Sequence, residues 1–231
     1  MPTQQAIRQW FNRTYTTKGL SYLRPPEFYS IFMEYLQVRP ATRLLDIGCG
    51  PGLLLAKALD RDASAWGIDL SEAALDMAAR QAPGANVVLC SAEALCYPDR
   101  FFDCLTCIGV FEHTLDPDRA LAEMRRVTKP DGRICIMVPN SRTLKWQIEA
   151  NILHIHDEDS NEQAFTLETW TNVFSRNGLT IERIHPDEWP AYARRVRFLG
   201  VRAGRFAAFA HRTRRLFPMR FANEYVFLLR P

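Results

Sequence analysis

The chain has 231 residues, of which 47% are hydrophobic and 24% charged, and its formal net charge is +3. These values are those of a soluble globular protein, and they exclude a disordered or fibrous chain. No apolar run approaches the roughly 20 residues of a membrane-spanning helix, and the N-terminus carries no secretory signal. The six cysteines lie mostly in apolar runs, which predicts reduced, buried thiols and a cytoplasmic protein.

The predicted elements begin with two helices in residues 1–40. Gln4–Tyr15 carries apolar residues at helical spacing, and a second helix opens at Pro25-Pro26. From Arg43 onward, short apolar strands alternate with helical patterns, which indicates a parallel sheet covered on both faces. The predicted strands are Arg43–Ile47, Ala65–Asp69, Val87–Cys90, Phe102–Ile108, Arg133–Val138, Thr180–His185 and Tyr225–Arg230, and the predicted helices are Leu53–Leu59, Glu72–Gln81, Arg119–Val127 and Leu167–Arg176.

The segment Leu44–Gly52 indicates where a ligand binds. An apolar strand runs into a turn with glycine at every second position, so a ligand can lie against the backbone beside the next helix N-terminus. The third glycine of a dinucleotide fingerprint is missing, because Leu53 stands in its place, and the Lys-Ser/Thr of a P-loop is absent as well.

Two acids end the first two predicted strands. Asp46 either caps the amides of the glycine loop or faces a ligand ammonium group, directly or through water. Asp69 stands where α/β folds bind a ribose diol. Its alternative role is to cap the helix that follows, but Ser71 can do this instead and leave Asp69 to the ligand.

The residues resemble the class I S-adenosylmethionine-dependent methyltransferases, and within them the ubiquinone/menaquinone-biosynthesis (methyltransferase type 11) subgroup. The resemblance covers about residues 28–185. It rests on five segments in the family's order: Leu44–Gly52, Asp69, Cys90–Leu95, Phe101–His113 and Arg119–Gly132.

The resemblance implies a ligand role for each matching residue. Gly48, Cys49 and Gly50 would line the methionine part of S-adenosylmethionine, Asp46 would hold its ammonium through water, and Asp69 would hold its ribose. Leu70, Ala92 and Glu93 would meet the adenine, and Ile108 would supply backbone at the sulfonium. Ser91 departs from the family, which often has Asp there, so the adenine contact would weaken, use water or pass to Glu93.

The implied fold is a Rossmann-like, doubly wound, seven-stranded α/β sheet, mostly parallel with an antiparallel C-terminal hairpin. Residues 1–231 would form a single methyltransferase domain. Within it, residues 1–40 would be a helical lid, 41–140 the cofactor-binding core, and 186–223 a basic helical insert that the fold does not require.

The sequence gives a less specific signal for the residues that would lie near the methyl acceptor. His113 is either a general base or a structural part of the family's Glu-His pair. Tyr15, Tyr22, His113 and His154 are candidate substrate contacts. His154 and His156 are two apart without a further His or Cys cluster nearby, so no metal site is predicted.

The net charge differs in sign between residues 1–185 and residues 186–231. Residues 1–185 hold 19 Lys and Arg against 23 Asp and Glu, or −4, whereas residues 186–231 hold 10 Arg against 3 acids, or +7. The basic insert has three interpretations: a helix packed on the core or on a partner in a homodimer, a helix lying on anionic lipid, or a contact with RNA phosphates. RNA is the least favoured, since nothing resembles an RNA-binding module.

The predicted function is methyl transfer from S-adenosylmethionine to a small, hydrophobic acceptor, with oxygen favoured over carbon or nitrogen. The alternatives are an RNA or protein methyltransferase that uses the insert, and a non-catalytic cofactor-binding protein.

Overall fold

The computed structural model describes residues 3–151, 160–187, 189, 219 and 222–231. Most of the basic insert, 186–223, therefore lies outside the described residues. The helices are α1 (Gln4–Lys18), α2 (Pro26–Tyr35), α3 (Leu53–Leu59), α4 (Glu72–Gln81), α5 (Pro117–Val127), α6 (Leu144–Asn151) and α7 (Leu167–Arg176). The strands are β1 (Arg43–Ile47), β2 (Ser64–Asp69), β3 (Asn86–Leu89), β4 (Phe102–Ile108), β5 (Thr128–Pro139), β6 (Thr180–Pro186) and β7 (Glu224–Arg230).

The seven strands form one sheet in the order β3-β2-β1-β4-β5-β7-β6. The first five pair in parallel, and β7 pairs antiparallel with both β5 and β6. The predicted mixed sheet with an antiparallel C-terminal hairpin is confirmed. Among the described residues, α6 is the helix that the sequence pattern missed, because its apolar residues show almost no one-sided spacing.

The sheet separates two apolar clusters. Leu45, Cys107 and α5 belong to one cluster, and Leu44, Cys104 and α2 belong to the other. This division follows from the strand period of two, which turns successive side chains to opposite faces. Cys104 and Cys107 thus lie on opposite faces as predicted, and both are buried.

Local sequence signals set the helix ends. Ser71 and Thr166 act as predicted N-caps, each accepting a backbone N–H three residues on. α7 ends just before Gly178, whose φ of +74° suits glycine. No helix within the described ranges is long and apolar enough to cross a membrane.

Candidate functional site

A cavity lies beyond the carboxyl ends of β1 and β4. The strand order reverses here, since β2 and β3 lie on one side of β1 while β4 and β5 lie on the other. Helices that leave neighbouring strands in opposite directions open a crevice at such a point, and α/β proteins bind their ligands in it. The topology alone therefore places a site at the glycine loop.

The glycine loop depends on the absence of side chains. Gly48, Gly50 and Gly52 all have positive φ, at +66°, +50° and +80°. A Cβ on Gly48 would lie 2.3 Å from Val110 Cγ2, far inside contact distance. The loop after β1 therefore packs directly on the segment after β4, and its backbone stays open to the cavity.

Asp69 ends β2 and is buried. Its Oδ2 accepts the backbone N–H of Gly50 at 2.8 Å, and its Oδ1 accepts that of Ser71 at 2.8 Å. Burial raises the pKa of Asp69 to about 6. Ser71 caps α4 as predicted, and the Asp69 carboxylate also joins the two turns through its bonds to Gly50 and Ser71. Each oxygen keeps a lone pair for a ligand hydroxyl.

Asp46 lies at the end of β1 and is also buried. Its Oδ1 accepts a hydrogen bond from the Thr106 hydroxyl of β4 at 2.7 Å. This hydrogen-bond partner is a side chain and not an amide of the glycine loop. Burial raises the pKa of Asp46 to about 7, and nearby Asp69 adds to this while the Thr106 bond opposes it. Thr106 was not singled out from the sequence, because only the β1–β4 register brings it opposite Asp46.

The other predicted residues meet around the same cavity, with two exceptions. His154 and the side chain of Tyr22 lie outside the described residues. The predicted residues that line the cavity are Asp46, Gly48, Cys49, Gly50, Asp69, Leu70, Ser91, Ala92, Glu93, Ile108, Tyr15 and His113.

The segment Ser91–Leu95 is held in place by the side chains of two of its own residues. Ser91 Oγ accepts the Gln4 amide at 2.8 Å and the Glu93 N–H at 3.2 Å. Glu93 Oε1 accepts the N–H groups of Leu115 and Asp116 at 2.7 and 3.1 Å. Glu93 thus already holds the loop before α5, and its other oxygen is the one left for a ligand.

His113 is held by a distant part of the chain. Its Nδ1 lies 2.7 Å from the Ser160 carbonyl oxygen, so Nδ1 carries the proton and Nε2 is the acceptor. Burial lowers the pKa of His113, which keeps the ring neutral near pH 7. Asn161 donates to the carbonyls of His113 and Thr114 at 3.2 and 3.0 Å. Ser160 and Asn161 were missed, because no local pattern relates them to His113.

Glu112 differs from His113 in its surroundings. It is buried, and within the described ranges its Oε2 has no hydrogen-bond partner. Burial raises the pKa of Glu112 well above its ordinary value. No group of three or more His, Cys, Asp or Glu side chains among the described residues is arranged to hold a metal ion.

Helix α1 covers one side of the cavity. A Cβ on Gly50 would lie 2.8 Å from the Tyr15 hydroxyl, so Tyr15 rests on the glycine loop. Asn12 accepts the Ser71 hydroxyl at 2.7 Å and donates to Glu72 at 2.9 Å, which fastens α1 to the start of α4. The cavity measures about 130 Å³.

Comparison with known proteins identifies the central part of the chain. Residues 45–136 match the family model described as a methyltransferase domain. The ubiquinone/menaquinone biosynthesis C-methyltransferase UbiE of Burkholderia orbicola is 38% identical over 107 residues, which cover 43% of this chain and 44% of that protein. An uncharacterized 37.1 kDa protein in transposon TN4556 of Streptomyces fradiae is 36% identical over 119 residues, covering 49% of this chain and 34% of that protein. The chain thus spans less than half the length of these relatives.

Solved structures share this fold. The [4+2]-cyclase SpnF has a TM-score of 0.70 at 18% identity, covering 100% of this chain and 97% of that one. Geranyl diphosphate C-methyltransferase from Streptomyces coelicolor A3(2), solved with S-adenosyl-L-homocysteine, has a TM-score of 0.68 at 17% identity, covering 100% and 98%. The family match therefore assigns residues 45–136 to the methyltransferase domain family, and the solved structures, each under 25% identical, show the fold in which that domain lies.

Proposed function

We propose that this protein transfers the methyl group of S-adenosylmethionine to a small acceptor with an apolar part. The observation that carries the proposal is the pair of buried acids, Asp46 and Asp69, which end neighbouring strands and face one cavity beneath a glycine loop. Two buried carboxylates in one cavity are costly unless positive charge compensates them, so this pair indicates a ligand that offers positive charge and hydroxyl groups.

The residues present fit this cofactor. Asp46 would hold its ammonium group, since a cation there offsets the burial that raises the pKa of this acid. Asp69 would accept the ribose hydroxyls while it keeps its bonds to Gly50 and Ser71. Leu70 and Ala92 offer apolar surface for the adenine, and Ser91 and Glu93 lie at its edge. When bound, the cofactor supplies an electrophilic methyl group on a sulfonium.

The protein's own contribution to the reaction would be orientation and proton removal. The bond from Nδ1 to Ser160 leaves His113 Nε2 as a base in the cavity wall. Phe11 packs edge-on against the ring, with centroids 5.2 Å apart, and fixes its plane. A neutral, oriented imidazole accepts a proton from an acidic O–H as the acceptor reacts. Holding the reacting groups in line accounts for the rest of the rate enhancement.

The cavity favours an acceptor with an apolar portion. Ile7, Phe11 and Leu23 line it from the N-terminal segment, and Val110 and Leu115 line it from the loops after β4. An ionised enol or phenol fits both the base and this surface, and it is nucleophilic at its oxygen and at the conjugated carbon. Relatives named as C-methyltransferases favour the carbon, whereas the sequence alone favoured oxygen.

Calorimetry with S-adenosyl-L-homocysteine, followed by turnover with methyl-labelled S-adenosylmethionine, tests the proposal. The acceptor panel should contain phenols and enols with and without an alkyl tail. We expect micromolar binding and labelled product only from acceptors with an apolar portion. Absence of binding by both cofactor forms would refute the function, and Asp69→Ala serves as the binding-deficient control.

Peripheral membrane contact through the basic insert remains a prediction from its ten-to-three excess of Arg over acids in residues 186–231. An arginine-rich amphipathic helix lies on anionic lipid, which would bring a lipophilic acceptor close to the active site. Sedimentation with anionic and with neutral vesicles at low salt measures this. Binding to anionic vesicles alone supports the contact, and equal pelleting with both vesicle types contradicts it.

A further inference from the structure

Two cysteines flank the segment Ser91–Leu95, part of which lines the cavity. Cys90 is half-buried and lines the cavity, and Cys96, on the far side of the segment Ser91–Leu95, is exposed. The Cys96 backbone N–H donates to Cys90 Sγ at 3.3 Å, so the two cysteines lie side by side. The Cys90 thiol in turn donates to the Ala94 carbonyl at 3.3 Å. The fold therefore holds two thiols together at the ends of a five-residue loop.

The other four cysteines are enclosed. Cys49, Cys104, Cys107 and Cys135 are all buried. Cys104 and Cys107 lie on opposite faces of the sheet. Oxidation follows thiolate character and access, so Cys96 is the thiol that a dissolved oxidant reaches first. Cys90 lies beside Cys96 and can react with it once Cys96 is oxidised.

We propose that Cys90 and Cys96 form a peroxide-sensitive pair, and that their oxidation to a disulfide weakens binding of S-adenosylmethionine. The binding half of this inference rests on the proposed function. Peroxide converts the Cys96 thiol to a sulfenic acid and releases water. The Cys90 sulfur then attacks the Cys96 sulfur, the S–O bond breaks, and a second water leaves as the disulfide forms. Two thiols and one hydrogen peroxide thus give one disulfide and two waters.

The disulfide acts on binding through the loop that it closes. Its formation removes the thiol hydrogen that Cys90 donates to the Ala94 carbonyl, and it draws Cys96 toward the cavity wall. Ala92 and Glu93 lie inside this loop and line the cavity. Glu93 is also bonded to the amides of Leu115 and Asp116, so it resists a shift of the loop. The adenine surface formed by Leu70 and Ala92 is therefore distorted.

The test compares reduced and peroxide-treated full-length protein. A peptide map by mass spectrometry should show a Cys90–Cys96 cross-link with two hydrogens fewer than the reduced pair. Calorimetry with S-adenosyl-L-homocysteine should show affinity about tenfold lower after peroxide, restored by dithiothreitol. The variant Cys96→Ser keeps the backbone donor and does not alter the cavity lining. Its affinity should equal that of the reduced wild type before and after treatment.

Each outcome decides a part of the inference. A peptide map without the cross-link overturns it, as does a cross-linked protein with unchanged affinity. A peroxide-induced loss of affinity that persists in Cys96→Ser assigns the effect to another residue and overturns it as well. If the reduced protein does not bind S-adenosyl-L-homocysteine, the proposed function and the binding half fail together, and the peptide map still decides whether the pair forms a disulfide.

Discussion

The carboxylate of Asp69 accepts the backbone N–H of Gly50 at 2.8 Å, so the acid that ends β2 holds the glycine loop that follows β1. Its second oxygen holds Ser71 at the start of α4. The Asp69 side chain therefore joins two turns that line the cavity, and the same carboxylate would serve both the proposed ligand role and this structural role. Substitutions at this and neighbouring residues should affect binding and stability in different proportions.

Asp69→Ala should lower the affinity for S-adenosyl-L-homocysteine at least about 100-fold, since the ribose acceptor and the loop anchor are lost together. The free energy of unfolding should fall by about 1–2 kcal/mol, because two buried N–H groups lose their acceptor while one buried carboxyl is removed. Calorimetry and urea denaturation measure the two effects. Asp76→Ala, at an exposed position on α4, is the control. Unchanged affinity in Asp69→Ala would exclude the ribose role.

Asp46 should make the ligand-free protein less stable as the pH rises from about 4 to 7. Its pKa is raised to about 7 in the folded protein, against about 3.9 in an unfolded chain. The folded state therefore binds more protons across this range, and the free energy of unfolding falls with increasing pH. Asp46→Asn should flatten this dependence and stabilise the apoprotein by about 1–3 kcal/mol at pH 8. A slope in Asp46→Asn equal to that of the wild type would contradict the assignment.

The affinity for S-adenosylmethionine should rise with pH over the same range and level off above pH 7. In the proposed complex the ammonium group binds to ionised Asp46, so below a pKa of about 7 binding should release a proton. One released proton gives at most about a tenfold change in affinity per pH unit. Calorimetry in buffers of different ionisation enthalpy measures the proton count directly. Asp46→Asn should bind weakly and show little of this dependence; if it keeps the full slope, another group titrates.

His113→Gln should lower kcat about 100-fold or more if Nε2 is the base, while the affinity for S-adenosyl-L-homocysteine changes little. Burial lowers the pKa of His113, so the wild-type rate should rise with pH through a value below 6.5 and then stay constant. The variant should lose this titration. A variant that turns over normally would assign His113 a structural role.

Asn161 should act on the same step through its bonds to the His113 and Thr114 carbonyls. Asn161→Gly keeps the positive φ of +54° without strain and removes the side-chain donor, so its loss of kcat reports the hydrogen bonds alone. We expect a loss of about tenfold in kcat with a displaced His113 titration. Asn161→Ala should add a stability loss of about 1 kcal/mol from backbone strain. A Gly variant with the wild-type rate and pH profile would contradict this positioning role.

The local sequence pattern predicts many of the helices and strands of the fold. The bounds of β1, β4, α3, α4 and α7 agree with the sequence pattern, because each has an apolar period and a capping or glycine signal at its end. α6 lacks such a period and was missed. The glycine loop and the acids Asp46 and Asp69 can be predicted in the same way, since they stand at or within a few residues of the strand ends.

The tertiary structure decided how these residues are connected. The sequence by itself determined the strand–helix alternation, the glycine loop and the positions of Asp46 and Asp69, since backbone propensity and apolar period act over a few residues. Thr106 bonds to Asp46, Ser160 to His113, and Asn12 to α4 only because sheet register and chain return bring distant segments together. The pKa values of the two acids were also beyond the sequence, because they depend on burial by both faces of the finished sheet.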